Sequence, residues 1–300
     1  MCANKGIDTL SQQGAGMIEF HLTFDGNLSG EGLIEFYDVA RALAGFQRSL
    51  ALTAHLALNG EIITQAPSAA GFAIYVEPFE HGSWRTKALM ALSAGGVILS
   101  AGKDSPMGQI VTSLYDAALY NTMGFHVDYD KTLQQQHHEY FKEKGITEEK
   151  IDSLCEKIES SVADIHRPIV ASETATRAQI SCENMIKPNV GPLLSPITYE
   201  YVRKTSREND ITMVRGYVSS YNINTYKGRL FSLDEIRPIP FQLDESVRSK
   251  EIIGILTRSQ HINGQNRNDP QSMIELACNR IVSANGKTKR YHVIGASSLG

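Results

Sequence analysis

Three hundred residues, 42% hydrophobic and 21% charged, supply ample material for a buried core and exclude a disordered or fibrous chain. A chain of this length buries roughly three quarters of the surface its unfolded form exposes, so it requires neither disulfides nor metals to fold. The net charge of −4 conceals two unequal parts: residues 1–195 carry 14 Lys and Arg against 23 Asp and Glu, and residues 196–300 carry 15 against 10.

Residues 1–16 are polar and contain glycine, and they read as a disordered tail. They hold no apolar run of the kind a secretory signal needs, so the expectation is a cytoplasmic protein. Met17–Asp25 alternates, with Ile18, Phe20, Leu22 and Phe24 on one face: a half-buried strand. Leu33–Leu58 repeats apolar residues every three or four positions and predicts a long helix, stopped at Asn59-Gly60. Glu61–Gln65 and Phe72–Glu77 read as two short strands around PSAAG. The predicted N-terminal domain, residues 17–126, is therefore a strand–helix–strand–strand unit of α+β class.

Ala88–Gly102 reads ALMALSAGGVILSAG, fifteen residues without a charge. As a helix it would span roughly 22 Å, short of a hydrocarbon core about 30 Å thick. The favoured reading is a buried hairpin or helix lined by small residues. Leu92, Gly95, Gly96 and Ile98 are then candidates for an inter-subunit contact, or for a membrane contact if assembly exposes them. Ser105 and Pro106 open a second helix, marked by Ile110, Leu114, Ala117 and Ala118 and stopped at Gly124.

Residues 127–198 read as a helical region and connector. Thr147 caps an amphipathic helix whose stripe is Ile151, Leu154, Cys155, Ile158, Val162 and Ile165. Residues 168–198 hold several prolines and suggest at most one short strand. From Tyr199 onward the text is strand-like, at Met213–Tyr221, Arg229–Leu233, Glu251–Arg258, Met273–Ser283 and Arg290–Ile294. Asn285-Gly286 signs a tight hairpin. Five short strands in residues 199–300 predict a small antiparallel β-barrel of OB or SH3-like kind. Arg237–Phe241, bracketed by prolines, is expected to cross the barrel or pack on it.

Motif searches yield little chemistry. No phosphate-binding loop, dinucleotide fingerprint, nucleophile elbow or H-E-x-x-H occurs, so catalysis is not the expectation. Cys2, Cys155, Cys182 and Cys278 are scattered, which argues against a zinc site and a disulfide framework, and no cofactor is implied. His126, Asp128 and Asp130 alternate as metal ligands would in an extended segment, but an exposed loop explains them more simply. His137-His138-Glu139 diverge on a helix and cannot chelate together.

The basic half groups Arg203, Lys204 and Arg207, and separately Lys287, Lys289 and Arg290, with tyrosines such as Tyr217 nearby. On a small barrel, cations meeting phosphates beside aromatics stacking on bases would form a single-stranded nucleic-acid surface. Strands also use tyrosine simply because it fits a pleated face. The first expectation is therefore a non-catalytic binding or scaffold protein that self-associates or takes a protein partner, because charge asymmetry and a small-residue apolar tract both suit assembly. Nucleic-acid binding by the C-terminal barrel and membrane action by residues 88–102 are the alternatives.

Overall fold

A computed structural model describes residues 16–77, 84–94, 97–99, 105–125, 127, 135–183, 188–203, 205–283 and 286–299. The chain is mixed α+β and divides into two compact units, residues 1–202 and 203–300.

The first unit is built on an antiparallel sheet. Its strands are β1 (Ile18–Asp25), β2 (Phe72–Val76), β3 (Arg85–Ala94), β4 (Val97–Leu99), β5 (Arg177–Cys182) and β6 (Asn189–Leu194). The order is β2–β3–β1–β5–β6, with β4 paired to β3. The alternation in β1 appears as expected: Ile18, Phe20, Leu22 and Phe24 are fully buried beneath helices. Those helices are α1 (Phe36–Asn59), α2 (Pro106–Thr122), α3 (Gln135–Lys144), α4 (Glu148–Ile165), the short α5 (Arg167–Val170) and α6 (Pro196–Arg203). Ser105 and Thr147 cap α2 and α4, their hydroxyls accepting from Gly108 N and Lys150 N. Every member of the α4 stripe is buried.

Three expectations change here. Glu61–Gln65 forms no strand, and the third strand of the β1–α1–β2–β3 series is the apolar tract itself. Ala88–Ala94 completes β3 and pairs back on β4, Leu92 with Leu99 and Ala94 with Val97. Apolar residues alternate there: Ala88, Met90 and Leu92 enter the core. Period two therefore makes the tract a hairpin instead of a helix. Gly95, Gly96 and residues 100–102 lie outside the described residues. The stretch expected as a connector supplies β5 and β6. Pro192 is tolerated in β6 because β6 is a sheet edge, where a missing N–H breaks no ladder.

The second unit is a closed barrel of β7 (Thr205–Asn222), β8 (Lys227–Ser232), β9 (Arg237–Leu243), β10 (Met273–Ser283) and β11 (Thr288–Ser298). Around the barrel the order is β7–β8–β9–β11–β10 and back to β7. All neighbours are antiparallel except β9 and β11, which run parallel over Phe241–Leu243. The proline-bracketed segment is thus a barrel strand. Its β11 partners begin at Phe241, past Pro238 and Pro240, so neither proline has to donate to that ladder.

Glu251–Arg258, expected as a strand, lies in helix α7 (Lys250–Gln265). Ser249 caps it, its hydroxyl accepting from Ile252 N at 3.3 Å. Ile252, Ile255, Leu256 and Ser259 recur at helical spacing toward the barrel; this period outweighs the β-branched composition that suggested a strand. Ser259 Oγ donates to Ser272 O at 2.6 Å and accepts from Val218 N at 3.1 Å, fastening α7 to the barrel.

Candidate nucleic-acid interface

β10 lies between β7 and β11, and this placement assembles a cationic edge. Ile281 of β10 pairs with Arg207 of β7 on one side and with Arg290 of β11 on the other. Two cations remote in sequence therefore stand in one cross-strand row. Arg207 is held in place by a bulge: its Nε and Nη2 donate to Asn279 Oδ1 at 3.2 and 2.6 Å. The amide of Asn279 in turn donates to the carbonyls of Asn209 and Asp210, at 3.2 and 3.3 Å, satisfying the backbone where the register slips. The partner that orients Arg207 is thus a neutral amide. Lys289 Nζ reaches Thr205 Oγ1 at 3.0 Å, next to the same row.

The turn between β10 and β11 borders this edge. Ser283 Oγ donates to Lys287 O at 3.1 Å and accepts from Lys287 N at 3.2 Å. Arg280 Nη2 donates to Gly286 O at 3.4 Å and to Thr288 Oγ1 at 2.8 Å. Ion pairs of the barrel include Glu275 with Arg215 at 2.9 Å, Glu235 with Arg237 at 3.2 Å and Glu208 with Arg280 at 3.6 Å. Beside the β7–β8 turn, Arg248 stacks on Tyr226, 4.5 Å from the ring centroid, and Tyr221 lies parallel to Phe241.

The sequence candidates separate accordingly. Arg207, Lys289 and Arg290 converge, and Lys287 sits on the adjoining turn. Arg203 is exposed at the end of α6. Tyr217 is only 7% exposed, paired with both Met273 and Phe231 at the barrel corner, so it offers no stacking platform. Lys204, His126, Asp128 and Asp130 lie outside the described residues. Leu92 is a core residue and Ile98 pairs with Ser93 in the hairpin.

Two constellations escaped the sequence. Glu19, His21 and Glu183 bring ligand-type atoms within 4.8 Å of one another, with His21 buried between the two glutamates' strands. Glu19-x-His21 on one strand is the only local signal; Glu183 arrives through β1–β5 pairing. The residues present do not suit a cation. Arg85 Nε donates to His21 Nδ1 at 3.0 Å, and a guanidinium only donates, so the ring proton resides on Nε2, facing Glu183 Oε1 at 3.0 Å without good alignment. Metal binding needs that Nε2 lone pair. Arg85 also pairs with Glu183 at 3.1 Å, and Lys87 with Glu19 and Glu77 at 3.2 Å. Burial, with Arg85 beside it, lowers the pKa of His21, and the cluster is a closed ion-pair lattice.

The second constellation, His166 Nε2 2.8 Å from Thr198 Oγ1, resembles a base beside a hydroxyl nucleophile. Both groups are buried, His166 fully, so no substrate reaches them. The pair locks α4 to α6.

Residues 20–190 match the family model described as a domain of unknown function, DUF7946. The chain belongs to this family. Residues 210–297, nearly the whole barrel, match a second model, a family of unknown function, DUF7947. No curated protein and no solved structure matches the chain. The cationic edge lies within the DUF7947 match, apart from Arg207, which stands just ahead of it. No described helix is long and apolar enough to cross a membrane.

Proposed function

We propose that the barrel is an OB-type module and that the protein binds single-stranded nucleic acid through it. The observation that carries this reading is the strand order. Taken in chain order, the barrel strands run first–second–third–fifth–fourth, with the third and fifth parallel and a helix between the third and fourth. That order supports the OB reading, in which ligands bind across the second and third strands between the first–second and fourth–fifth turns. The fold likeness is an analogy, and the chemistry must come from the site.

The site supports it. The fourth–fifth turn is the β10–β11 connection, and Arg207, Lys287, Lys289 and Arg290 gather beside it. The first–second turn carries the Tyr226–Arg248 stack. Cations on one rim and a ring–guanidinium pair on the other suit a backbone that must be neutralised and bases that must be stacked.

The test is anisotropy of a labelled single-stranded oligonucleotide titrated with the full chain at several salt concentrations. Three phosphate contacts predict a slope of log K against log salt of about −2. The combined Arg207→Ala, Lys289→Ala and Arg290→Ala variant should bind on the order of 10²-fold more weakly at low salt and lose most of that slope. Absent binding, or binding indifferent to salt and to these substitutions, refutes the reading.

A further inference from the structure

An imidazole stands on the cationic edge. His292 lies on β11 two places from Arg290, so both face the outer side of the barrel, opposite to the buried Tyr291 and Val293. Across the ladder its partner is Asn279, whose Oδ1 accepts from both Nε and Nη2 of Arg207. Directly opposed residues of an antiparallel pair have Cβ atoms about 5 Å apart. The Arg207 guanidinium is therefore anchored on the residue that faces His292. Among the described residues Arg207 forms no ion pair.

A carboxylate orients the ring. His292 Nε2 lies 2.8 Å from Asp244 Oδ2, just past the end of β9, which runs parallel to β11 here. A carboxylate only accepts, so Nε2 carries the proton and Nδ1 the lone pair. Nδ1 has no hydrogen-bond partner among the described residues, and the side chain is 24% exposed. The hydroxyl and backbone N–H of Ser246, with His292, hold the Asp244 carboxyl well below the usual carboxylate range. An ionised Asp behind a His keeps the tautomer and stabilises the imidazolium, which makes the far ring nitrogen a base. The lone pairs of His21, His55 and His166 are by contrast buried and taken, by Arg85, the Ala70 N–H and Thr198.

We propose, resting on the nucleic-acid reading above, that the barrel cleaves a bound RNA strand with His292 as general base. With a phosphodiester on Arg207 and Arg290, His292 Nδ1 takes the proton of the adjacent ribose 2′-hydroxyl. The 2′ oxygen bonds to phosphorus and the bond from phosphorus to the 5′ oxygen breaks. The departing oxygen takes a proton from solvent, and the imidazolium returns its own to solvent. The products are a 2′,3′-cyclic phosphate and a 5′-hydroxyl end. The two guanidinium groups stabilise the charge that builds on the pentacoordinate phosphate. DNA lacks the 2′-hydroxyl, so it is bound without being cut. No linear motif announces the pair, because Asp244 and His292 meet only through the pairing of β9 with β11.

The test incubates the full chain at low salt with a 5′-labelled single-stranded RNA and with DNA of the same sequence, and reads the ends by gel and mass spectrometry. RNA should be cut to cyclic phosphate ends and DNA should stay whole. His292→Ala and Asp244→Asn, purified alongside and checked for folding by circular dichroism, should cleave on the order of 10²-fold more slowly with RNA affinity unchanged. Asparagine keeps a capping oxygen for the Ser246 N–H but does not hold the tautomer. RNA that is bound and left intact, or cleavage at full rate in His292→Ala, overturns the proposal and leaves the binding reading standing. Failure to bind either strand removes both.

Discussion

His166 is fully buried between α4 and α6, its Nδ1 donating to Val162 O at 2.7 Å. Nε2 is then left to accept from Thr198. Burial pushes its pKa down to about 4. The unfolded imidazole takes up a proton near pH 6.5, whereas the folded one resists until about pH 4. Its contribution is complete above pH 6.5 and falls away by at most about 3 kcal/mol as pH drops through that window. Burial lowers the pKa of His55 and His21 as well, so their contributions carry the same sign. His166→Gln should lower the denaturation midpoint at neutral pH and flatten its decline between pH 6.5 and 4.5. An unaltered decline would remove His166 from this role. Gly216 is constrained differently: an added Cβ would stand 2.1 Å from the carbonyl oxygen of Phe231. That oxygen belongs to backbone at the corner where β7 leaves β10 for β8, so it cannot swing aside as a flexible side chain would. Gly216→Ala should destabilise the barrel by about 1–3 kcal/mol in a urea melt.

Among the elements, α7 shows how a misread segment is held. Only Leu256 and Ser259 of this helix are buried. Much of its attachment therefore rests on one hydroxyl that serves Val218 N and Ser272 O together. Ser259→Ala leaves both groups buried without that partner, at a cost of about 1–3 kcal/mol. Hydrogen exchange at the Val218 amide should accelerate while amides in the first unit keep their rates. The isoleucines at 252, 253 and 255 resemble a strand in composition, and composition misleads because β preference mostly reports a half-buried surface. The cap at Ser249 and the spacing to Leu256 and Ser259 were the better guides. The helix capped by Thr147 was readable for the same reason: its cap and its stripe are both local.

At the scale of the whole molecule, the excess of basic residues in 196–300 bears on nucleic-acid binding through salt. Nucleic-acid binding that rests on phosphate neutralisation should weaken steeply as salt rises, because condensed counterions are released on binding.

The sequence by itself determined what depends on near neighbours: the buried face of β1, the stripe and cap of the helix opened by Thr147, four of the five barrel strands and the charge of each part. It could not determine pairing. Residues 168–198 look like a connector until β1 is available to receive β5, and the small-residue tract remains ambiguous until β4 folds back on β3. Arg207 and Arg290 become neighbours only because β10 lies between their strands. The physical reason is common to all three cases. Periodicity is written in side chains a few residues apart, whereas register is chosen by which remote apolar faces can be buried together.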